Sequence, residues 1–476
     1  MKRRIHLLAA LVLIGFGGVT LALAYWAGLG RDSLLGRPDN LRRAEDARAV
    51  IRGTIFDRDG VILAQPTEGR LLPSGKPAQN RRYPMSVMAA VTGYYSLLRG
   101  ASGAEAAFEP LLSGANLPAN PIDRLLNRPR RGQDVRLTVD SGLQAAIAAE
   151  MGGRAGAVVV MEVPSGAVRA LYSAPVYDPN TIERDFTALR ATPLPRPDGR
   201  PSNPYSSSLY NRAVEVPYPP GGILQTVIWA AILAHSPAPA EPLIGATNHV
   251  TVNGVDLGCL DVVGEVTTFR AAFAFACPYP FGTFAQSNQA AVLEKAMALG
   301  LGLTAPLIGY PTGFRPDAGL APDLNLTAFG AGQAGIVTTP LHMVRVAATI
   351  ANGGTTITPY MLDAVQGDSG WETPPPPEPG SPALTAEAAA TLADGMINAV
   401  QMGAARAANV SGLPAGTIIA GHAATAIGPD APLGWFIGFV RPASGTAYAV
   451  AVVVEGVTPA EAARIGGAAL RAALQS

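Results

Sequence analysis

The chain has 476 residues, of which 35 are basic and 35 acidic, so its formal net charge is zero. A nucleic-acid-binding surface needs an excess of positive charge, and the balance therefore argues against a nucleic-acid partner. Apolar residues make up 48% of the chain, and the 53 glycines and 42 prolines stay below the proportion typical of low-complexity sequences. A folded protein of two or more domains fits this length and composition.

The first predicted element is a membrane-spanning helix. Between Ile5 and Gly30 there is no Asp, Glu, Lys or Arg, and such a run can cross a hydrocarbon core of about 30 Å. Basic residues precede it, and Tyr25 and Trp26 lie where interfacial aromatics are expected, so we predict a cytoplasmic N-terminus and an extracytoplasmic body. A cleaved signal peptide is the alternative, and Ala22-Leu23-Ala24 resembles its cleavage site, but its apolar core normally has about 7 to 15 residues. The length favours an uncleaved, single-pass anchor of the plasma membrane over residues 1–30.

Residues 31–140 are predicted to form a small, irregular, β-rich domain beside the membrane. This stretch is polar and is broken by Gly and Pro. It contains a short β-like run from Val61 to Leu63 and a helix-like stretch from Met85 to Leu98.

Residues 141–476 are predicted to form an α+β domain with a central antiparallel sheet flanked by helices. Two strand candidates, Ala157 to Val163 and Val168 to Tyr172, are joined by the hairpin signal Pro164-Ser165-Gly166. Two more β-rich runs near the C-terminus would complete the sheet, and helices packed on an antiparallel sheet give this fold class. The other strand candidates are 435–440 and 447–454, and the helix candidates are 224–234, 269–276, 286–299, 340–352, 384–402 and 459–474.

Two residue types limit the chemistry. The only lysines are Lys2, Lys76 and Lys295, so a mechanism that needs a catalytic lysine has three candidates. The only cysteines are Cys259 and Cys277; an extracytoplasmic location permits a disulfide, and two buried small apolar side chains are the alternative. The histidines are scattered and no CxxC or HExxH motif occurs, so we predict neither a metal site nor a cofactor.

Short motifs occur in a fixed order along the chain. Those of the N-terminal part are Arg52-Gly53-Thr54-Ile55-Phe56-Asp57-Arg58, Val61-Ile62-Leu63-Ala64, Arg82-Tyr83-Pro84, Val91-Thr92-Gly93-Tyr94-Tyr95-Ser96, Gly100-Ala101-Ser102-Gly103-Ala104-Glu105 and Leu112-Ser113-Gly114. Those of the C-terminal part are Asn211-Arg212-Ala213, Pro219-Pro220-Gly221, Gly332-Gln333, Thr338-Thr339-Pro340-Leu341, Ala351-Asn352-Gly353-Gly354 and Trp435-Phe436-Ile437-Gly438-Phe439. This ordered set, over about residues 50 to 470, resembles the class B penicillin-binding proteins, and the short juxtamembrane region is most similar to that of the small actinobacterial-type members.

The resemblance implies a fold, a reaction and a partner. The fold is an anchor helix, a small non-catalytic domain tied together by a Glu near an Arg-rich box, and a transpeptidase domain of the serine β-lactamase type. The reaction is acyl transfer, in which the Ser of an SxxK motif attacks the penultimate D-Ala carbonyl of a peptidoglycan stem peptide after the Lys removes its proton. The partner is a polytopic peptidoglycan glycosyltransferase in the membrane.

All three motifs that carry this reaction are degenerate here. Gly222 and Gln225 stand at the Ser and Lys positions of SxxK, and neither a missing side chain nor a neutral amide can replace the nucleophile and base. The second motif, SxN, falls at Ala276-Cys277-Pro278, and the third, KTG, falls at His422-Ala423-Ala424, where His422 is expected to be partly charged near neutral pH. The sequence therefore predicts a pseudo-transpeptidase that scaffolds or regulates peptidoglycan assembly.

Two alternatives stay open. The family's oxyanion hole uses backbone N–H groups, here those of Gly222 and Thr425, so reversible capture of a stem peptide or a β-lactam is conceivable, unless Pro278 and its apolar neighbours fill the cleft. A relocated Cys277/His422 dyad is the sharpest enzymatic alternative.

Overall fold

The computed structural model describes residues 2–27, 47–73, 75–117, 126, 128–191, 203, 205–235, 249–252, 254–262, 266–301 and 325–476. The strands, numbered in chain order, are β1 (Ile55–Phe56), β2 (Ile62–Leu71), β3 (Pro77–Arg82), β4 (Tyr95–Ser96), β5 (Gly100–Ala101), β6 (Val135–Leu137), β7 (Gly156–Val163), β8 (Val168–Ala174), β9 (His249–Val252), β10 (Val255–Gly258), β11 (Leu362–Gly367), β12 (Gly370–Glu372), β13 (Ile418–Ile427), β14 (Pro432–Arg441) and β15 (Ala447–Glu455). The α-helices are α1 (Lys2–Ala27), α2 (Ala89–Thr92), α3 (Gly103–Ala107), α4 (Glu109–Leu112), α5 (Ser141–Met151), α6 (Ile182–Arg190), α7 (Gln225–His235), α8 (Phe269–Ala274), α9 (Pro278–Ser287), α10 (Gln289–Ala298), α11 (Leu326–Gly330), α12 (Pro340–Ala351), α13 (Ala386–Met402) and α14 (Pro459–Ala473).

Helix α1 is the N-terminal apolar helix that the sequence predicts. Its segment His6–Trp26 has 21 residues and a mean hydropathy of 2.4, and it is the one helix among the described residues that is long and apolar enough to span a membrane. The side chains of this segment are exposed. A helix that is apolar all round and packs against no core has the character of a membrane segment.

The N-terminal part builds a mixed six-stranded sheet in the order β12-β11-β6-β1-β2-β3. Strand β1 pairs with β6 in parallel, whereas β11 pairs with β6 antiparallel. Strands β11 and β12 come from far along the chain, so this sheet contains strands from both of the predicted ranges 31–140 and 141–476.

A buried ion cluster centres on Glu105, whose side chain is completely buried. It accepts hydrogen bonds from Arg52 at 2.7 Å and from Arg81 at 2.5 Å, and the Tyr83 hydroxyl lies 3.3 Å away. Burial, together with the Glu105 carboxylate, raises the pKa of Tyr83 well above its ordinary value, which keeps this hydroxyl a donor. Glu105 thus connects the segment before β1, the end of β3 and α3, as the family resemblance implied.

The C-terminal part is organised around an antiparallel five-stranded sheet in the order β13-β14-β15-β7-β8. Helix α12 packs on one face against β15, β7 and β14, and α14 packs on the other face together with α5. Side chains alternate accordingly: Val159 of β7 joins one apolar core, and Val158 joins the core on the opposite face. The α+β class predicted from the sequence is confirmed, and β13 forms one edge of the sheet.

Two predicted helices were wrong in extent. The stretch from Met85 to Leu98 is a 3₁₀ turn followed by the short α2, and the chain then turns at Gly93 into β4. Gly93 has a φ of +66°, and a Cβ atom there would lie 2.0 Å from the Ser102 carbonyl oxygen, so no longer helix fits. The predicted helix 286–299 is the second of two helices, α9 and α10, which are separated at Asn288.

Candidate functional site

A cleft of about 380 Å³ lies beside the exposed edge of β13. Its floor is the 3₁₀ turn Gly221–Leu224 that leads into α7, and its walls are the β9–β10 hairpin, the turn between α8 and α9, and the loop after β13. Of the positions singled out from the sequence, it brings together Gly222, Gln225, Ala276, Pro278, Ala424 and Thr425. Pro278 lines this cleft without filling it.

Gly222 and Ala424 face each other across the floor of the cleft. A Cβ atom built on Gly222 would lie 2.7 Å from the Ala424 Cβ, a separation that real Cβ atoms essentially never show. The methyl group at the third motif therefore occupies the space that a side chain at the first motif would need. The two positions that the sequence predicts to depart from the family pattern are therefore in steric conflict.

Gln225 is buried at the start of α7, with only 2% of its surface exposed. Its Nε2 donates a hydrogen bond to the Ala276 carbonyl oxygen at 3.2 Å. Its Oε1 has no donor within the described part of the chain. The side chain at the base position thus ties the first motif to the second.

Cys277 is bonded to Cys259 in a disulfide that spans 18 positions of sequence. This bond fastens the end of the β9–β10 hairpin to the start of α9, so it joins two walls of the cleft. Because a disulfide sulfur is not a thiol, Cys277 has no nucleophile to offer. The alternative Cys277/His422 dyad is therefore wrong for this structure.

His422 lies beneath the cleft rather than in it. Its ring is fully buried and stacks on Phe273, with ring centroids 4.0 Å apart and planes 16° from parallel. Nε2 lies 3.3 Å from the Gly222 carbonyl oxygen, and Nδ1 has no partner in the described residues. Burial lowers its pKa to about 4, against a smaller opposing effect of the hydrogen bond to Gly222. The expectation of a partly charged His422 was wrong, because the ring is neutral at pH 7.

Of the two candidate backbone donors, Gly222 lies in the 3₁₀ turn before α7 and Thr425 lies on the edge strand β13. Ala424 and Thr425 pair with Trp435 and Gly434 of β14 on one side only, because no further strand in the described part of the chain adjoins β13. An edge strand presents alternate N–H and C=O groups outward. Thr425 is half-buried and lines the cleft.

Four side chains supply the polar groups along the described part of the cleft. Among the described residues they are the Thr425 hydroxyl, the Gln225 amide and the carboxylates of Asp256 and Asp430, with no Lys, Arg, His or Ser. No group of His, Cys, Asp and Glu in the described chain could hold a metal ion.

Sequence reasoning missed the two walls that carry the carboxylates. Asp256 lies on β10 and Asp430 lies in the loop between β13 and β14. The dipeptide Asn253-Gly254 between alternating apolar and polar residues was the available signal for the hairpin. Phe273, the stacking partner of His422, carried no signal.

The chain is similar over most of its length to known proteins. The sequence model of one protein family, the penicillin binding protein transpeptidase domain, matches residues 156–475. Identity is 32% with the peptidoglycan D,D-transpeptidase PbpA of Mycolicibacterium smegmatis over 480 residues, and 32% with that of Mycobacterium tuberculosis over 487 residues, in each case covering 93% of both chains.

Solved structures agree with this similarity. Penicillin-binding protein A of M. tuberculosis, as its imipenem acyl-enzyme complex, superposes with a TM-score of 0.72 at 30% identity, covering 89% of this chain and 99% of the other. A D,D-transpeptidase domain of a peptidoglycan glycosyltransferase from Eggerthella lenta superposes with a TM-score of 0.73 at 25% identity, covering 89% of this chain and 98% of the other.

Proposed function

This chain belongs to the family of penicillin-binding protein transpeptidases, and from that premise we propose that it is a catalytically inactive member that scaffolds or regulates a peptidoglycan synthase. The observation that carries the proposal is the floor of the cleft. Gly222 offers no side chain to acylate, and the Ala424 methyl group occupies the space of one. The M. tuberculosis relative, in contrast, forms an acyl-enzyme with imipenem.

Gln225 and His422 support the same conclusion. A Ser hydroxyl needs an adjacent base, and the base position holds the neutral Gln225, whose Nε2 is already engaged with Ala276. His422 is neutral, buried and directed at a backbone carbonyl. Each lost catalytic group typically lowers a rate about 10² to 10⁴-fold, so no acyl transfer is expected.

The proposed location is the plasma membrane, with α1 as a single-pass anchor, the N-terminus in the cytoplasm and the body outside it. Lys2, Arg3 and Arg4 precede the apolar segment, as the positive-inside rule requires. The proposed partner is a polytopic peptidoglycan glycosyltransferase that contacts α1 and the small domain.

Labelling with a fluorescent penicillin tests the loss of acylation. The full chain, purified in detergent, is expected to remain unlabelled, while penicillin-binding protein A of M. tuberculosis labels in the same assay. Folding is checked by cooperative thermal unfolding of the same sample. Saturable covalent labelling of the folded protein would refute the proposal that it is inactive.

Crosslinking in cells tests the scaffold. A photoreactive residue placed along α1 is expected to capture a cell-wall synthase. If no synthase is recovered from any position of α1 or of the small domain, the protein is not a scaffold of this kind.

A second candidate function is reversible binding of a stem peptide, which the open cleft of about 380 Å³ favours. Titration of the protein with a stem peptide should then show saturable, non-covalent binding. A bulky residue at Gly222 would abolish it by filling the floor.

A further inference from the structure

A proline-rich segment between β12 and α13, here called the strap, lies on the surface outside the cleft. It covers residues 373–380 and reads Thr-Pro-Pro-Pro-Pro-Glu-Pro-Gly. It forms neither a helix nor a strand, and residues 374–379 make no hydrogen bond within the described part of the chain. Consecutive prolines favour the polyproline II helix, which has three residues per turn and no internal hydrogen bonds.

Burial along the strap follows the period of that helix. Pro374, Pro377 and Gly380 are half-buried, and the four residues between them are exposed. Every third residue therefore faces the body of the protein, as three residues per turn require. The other two faces of the strap point outward.

The outward faces carry proline rings and one carboxylate. Residues three apart share a face of this helix, so Pro376 and Pro379 lie on one outward face, and Pro375 and Glu378 lie on the next. The stretch 376–379 has the PxxP spacing of ligands that are recognised as polyproline II helices.

Both ends of the strap are fixed. Before it, Glu372 of β12 pairs with Val365 of β11. After it, the Ser381 N–H donates to the Thr356 hydroxyl at 2.9 Å, and the Ser381 carbonyl oxygen accepts from the Thr356 N–H at 3.0 Å. A Cβ atom on Gly380 would lie 1.6 Å from the Thr356 carbonyl oxygen, so glycine allows the close approach. Since proline also restricts φ, the strap is ordered before any partner binds.

The chemistry of the strap selects its partner. Proline has no N–H, so the outward faces offer ring carbons and backbone carbonyl acceptors. Tyr and Trp side chains complement both, because their rings pack on proline rings while their O–H and N–H groups donate to carbonyls. Glu378 is exposed and adds a negative charge to the same surface, which a basic side chain complements.

We propose that the strap is a docking site for a protein domain whose groove is lined by Tyr or Trp and flanked by Lys or Arg. Because the strap is already extended and restricted, binding orders few additional bonds. The inference goes beyond the proposed function, since the strap belongs neither to the cleft nor to α1.

Photocrosslinking of the full chain in cells tests the inference. A photoreactive residue in place of Pro375 is expected to capture a protein, and mass spectrometry of the crosslinked peptide should locate the contact in a segment with Tyr or Trp and with Lys or Arg. The same photoreactive residue at Met402, exposed at the far end of α13, should not capture that protein.

Strap variants identify the contacts. With the photoreactive residue kept at position 375, Pro376→Ala with Pro379→Ala is expected to lower the crosslink yield at least about fivefold, as for the loss of a central anchor. Glu378→Gln should lower it about twofold, as for an exposed charge pair. The matched control is Glu387→Gln, an exposed carboxylate in the first turn of α13, which should leave the yield unchanged.

Four outcomes overturn the inference: no capture from position 375 above that from position 402, capture of lipid or glycan instead of protein, a contact segment without an aromatic residue, or an unchanged yield in either strap variant. Thermal unfolding of the purified variants shows whether they are folded. None of these results bears on the proposed inactivity, because the penicillin assay tests that separately.

Discussion

At the scale of single residues, Gly222 and Ala424 share one space that can hold only one side chain. A Cβ atom at 222 would lie 2.7 Å from that of Ala424, and overpacking of this kind costs about 1–3 kcal/mol. Gly222→Ser is therefore expected to lower the free energy of unfolding by about that amount, measured by chemical denaturation. Ala424→Gly, which removes the opposing methyl group, should restore most of the loss.

A double-mutant cycle separates this contact from the general cost of each change. Ala424→Gly alone is expected to cost about 0.5–1 kcal/mol, because glycine weakens a strand, and the coupling between the two changes should be stabilising. Additive effects would show that the two positions do not share this space.

Gly222→Ser with Gln225→Lys should still not acylate, since Ala424 and the second motif remain; rapid labelling of that variant would contradict the steric argument.

His422 makes stability depend on pH. Its pKa is about 4 in the folded protein and about 6.5 in an unfolded chain, so the unfolded state binds the proton first as the pH falls. The stability that neutral His422 provides is present above pH 6.5 and is lost progressively toward pH 4, by roughly 3 kcal/mol. Urea denaturation at intervals between pH 7 and pH 4 measures how steeply the free energy of unfolding falls with pH.

The matched variants for this prediction are His422→Leu and His235→Asn. His422→Leu removes the titrating group and should flatten the slope between pH 6.5 and pH 4. His235 is exposed at the end of α7, so His235→Asn should leave the slope as in the original chain. Equal slopes in all three proteins would show that another group controls the acid response.

At the scale of elements, the small domain depends on Glu105 as the shared acceptor of Arg52 and Arg81, whose side chains are only 5% and 4% exposed. Glu105→Gln removes the buried carboxylate that the two guanidinium groups share, and breaking such a buried pair costs about 3–5 kcal/mol. Hydrogen exchange in β2 and β3 and the denaturation midpoint should both report the loss.

Glu109 provides the control. It also pairs with Arg52, at 2.7 Å, but its side chain is 44% exposed, and exposed pairs contribute about 0–1 kcal/mol. Glu109→Gln should therefore have a much smaller effect. A comparable loss in both variants would mean that Arg52, rather than the buried Glu105, is the point on which the domain depends.

The elements also show which parts of the fold were predictable. The apolar runs of β7, β8, β14 and β15 and the periodic helices α12, α13 and α14 were found because their patterns match strand and helix periods over many residues. Helix α9 was missed because Pro278 and Pro280 suggest a loop, although Pro278 stands at its first turn, where proline is tolerated.

The sequence predicted which residues line the candidate site, but it did not predict how their side chains pack together. The ordered motifs located Gly222, Gln225, Ala276 and Ala424, and the cleft brings them together. The stacking of His422 on Phe273 and the meeting of two Cβ positions depend on tertiary packing, which no local pattern encodes. The same limit explains why β11 and β12, far along the chain, were not expected in the sheet with β1.

At the scale of the whole molecule, the fold of the family is retained, and we propose that its chemistry is not. The five-stranded sheet, its two helical layers and the Glu105 cluster are complete, and all of them serve to hold surfaces in place. If the cleft is inert, as proposed, the groups that remain to carry a function lie on the binding surfaces of the protein. Helix α1 is the first candidate surface, because the side chains of its segment His6–Trp26 are exposed and contribute nothing to the folded core.

Replacement of α1 tests whether it carries the partner contact. An unrelated apolar helix of equal length should change the free energy of unfolding of the body by less than about 0.5 kcal/mol, as expected for exposed positions, while crosslinking to the synthase is lost. A second replacement that retains Gly15, Gly17, Gly18 and Ala22 in the same unrelated background tests whether the small residues form the packing face, since small residues allow helices to approach closely in membranes. Recovery of the crosslink only in the second protein would assign the contact to that face. Retention of the crosslink in the first would place the contact outside α1 and contradict the prediction.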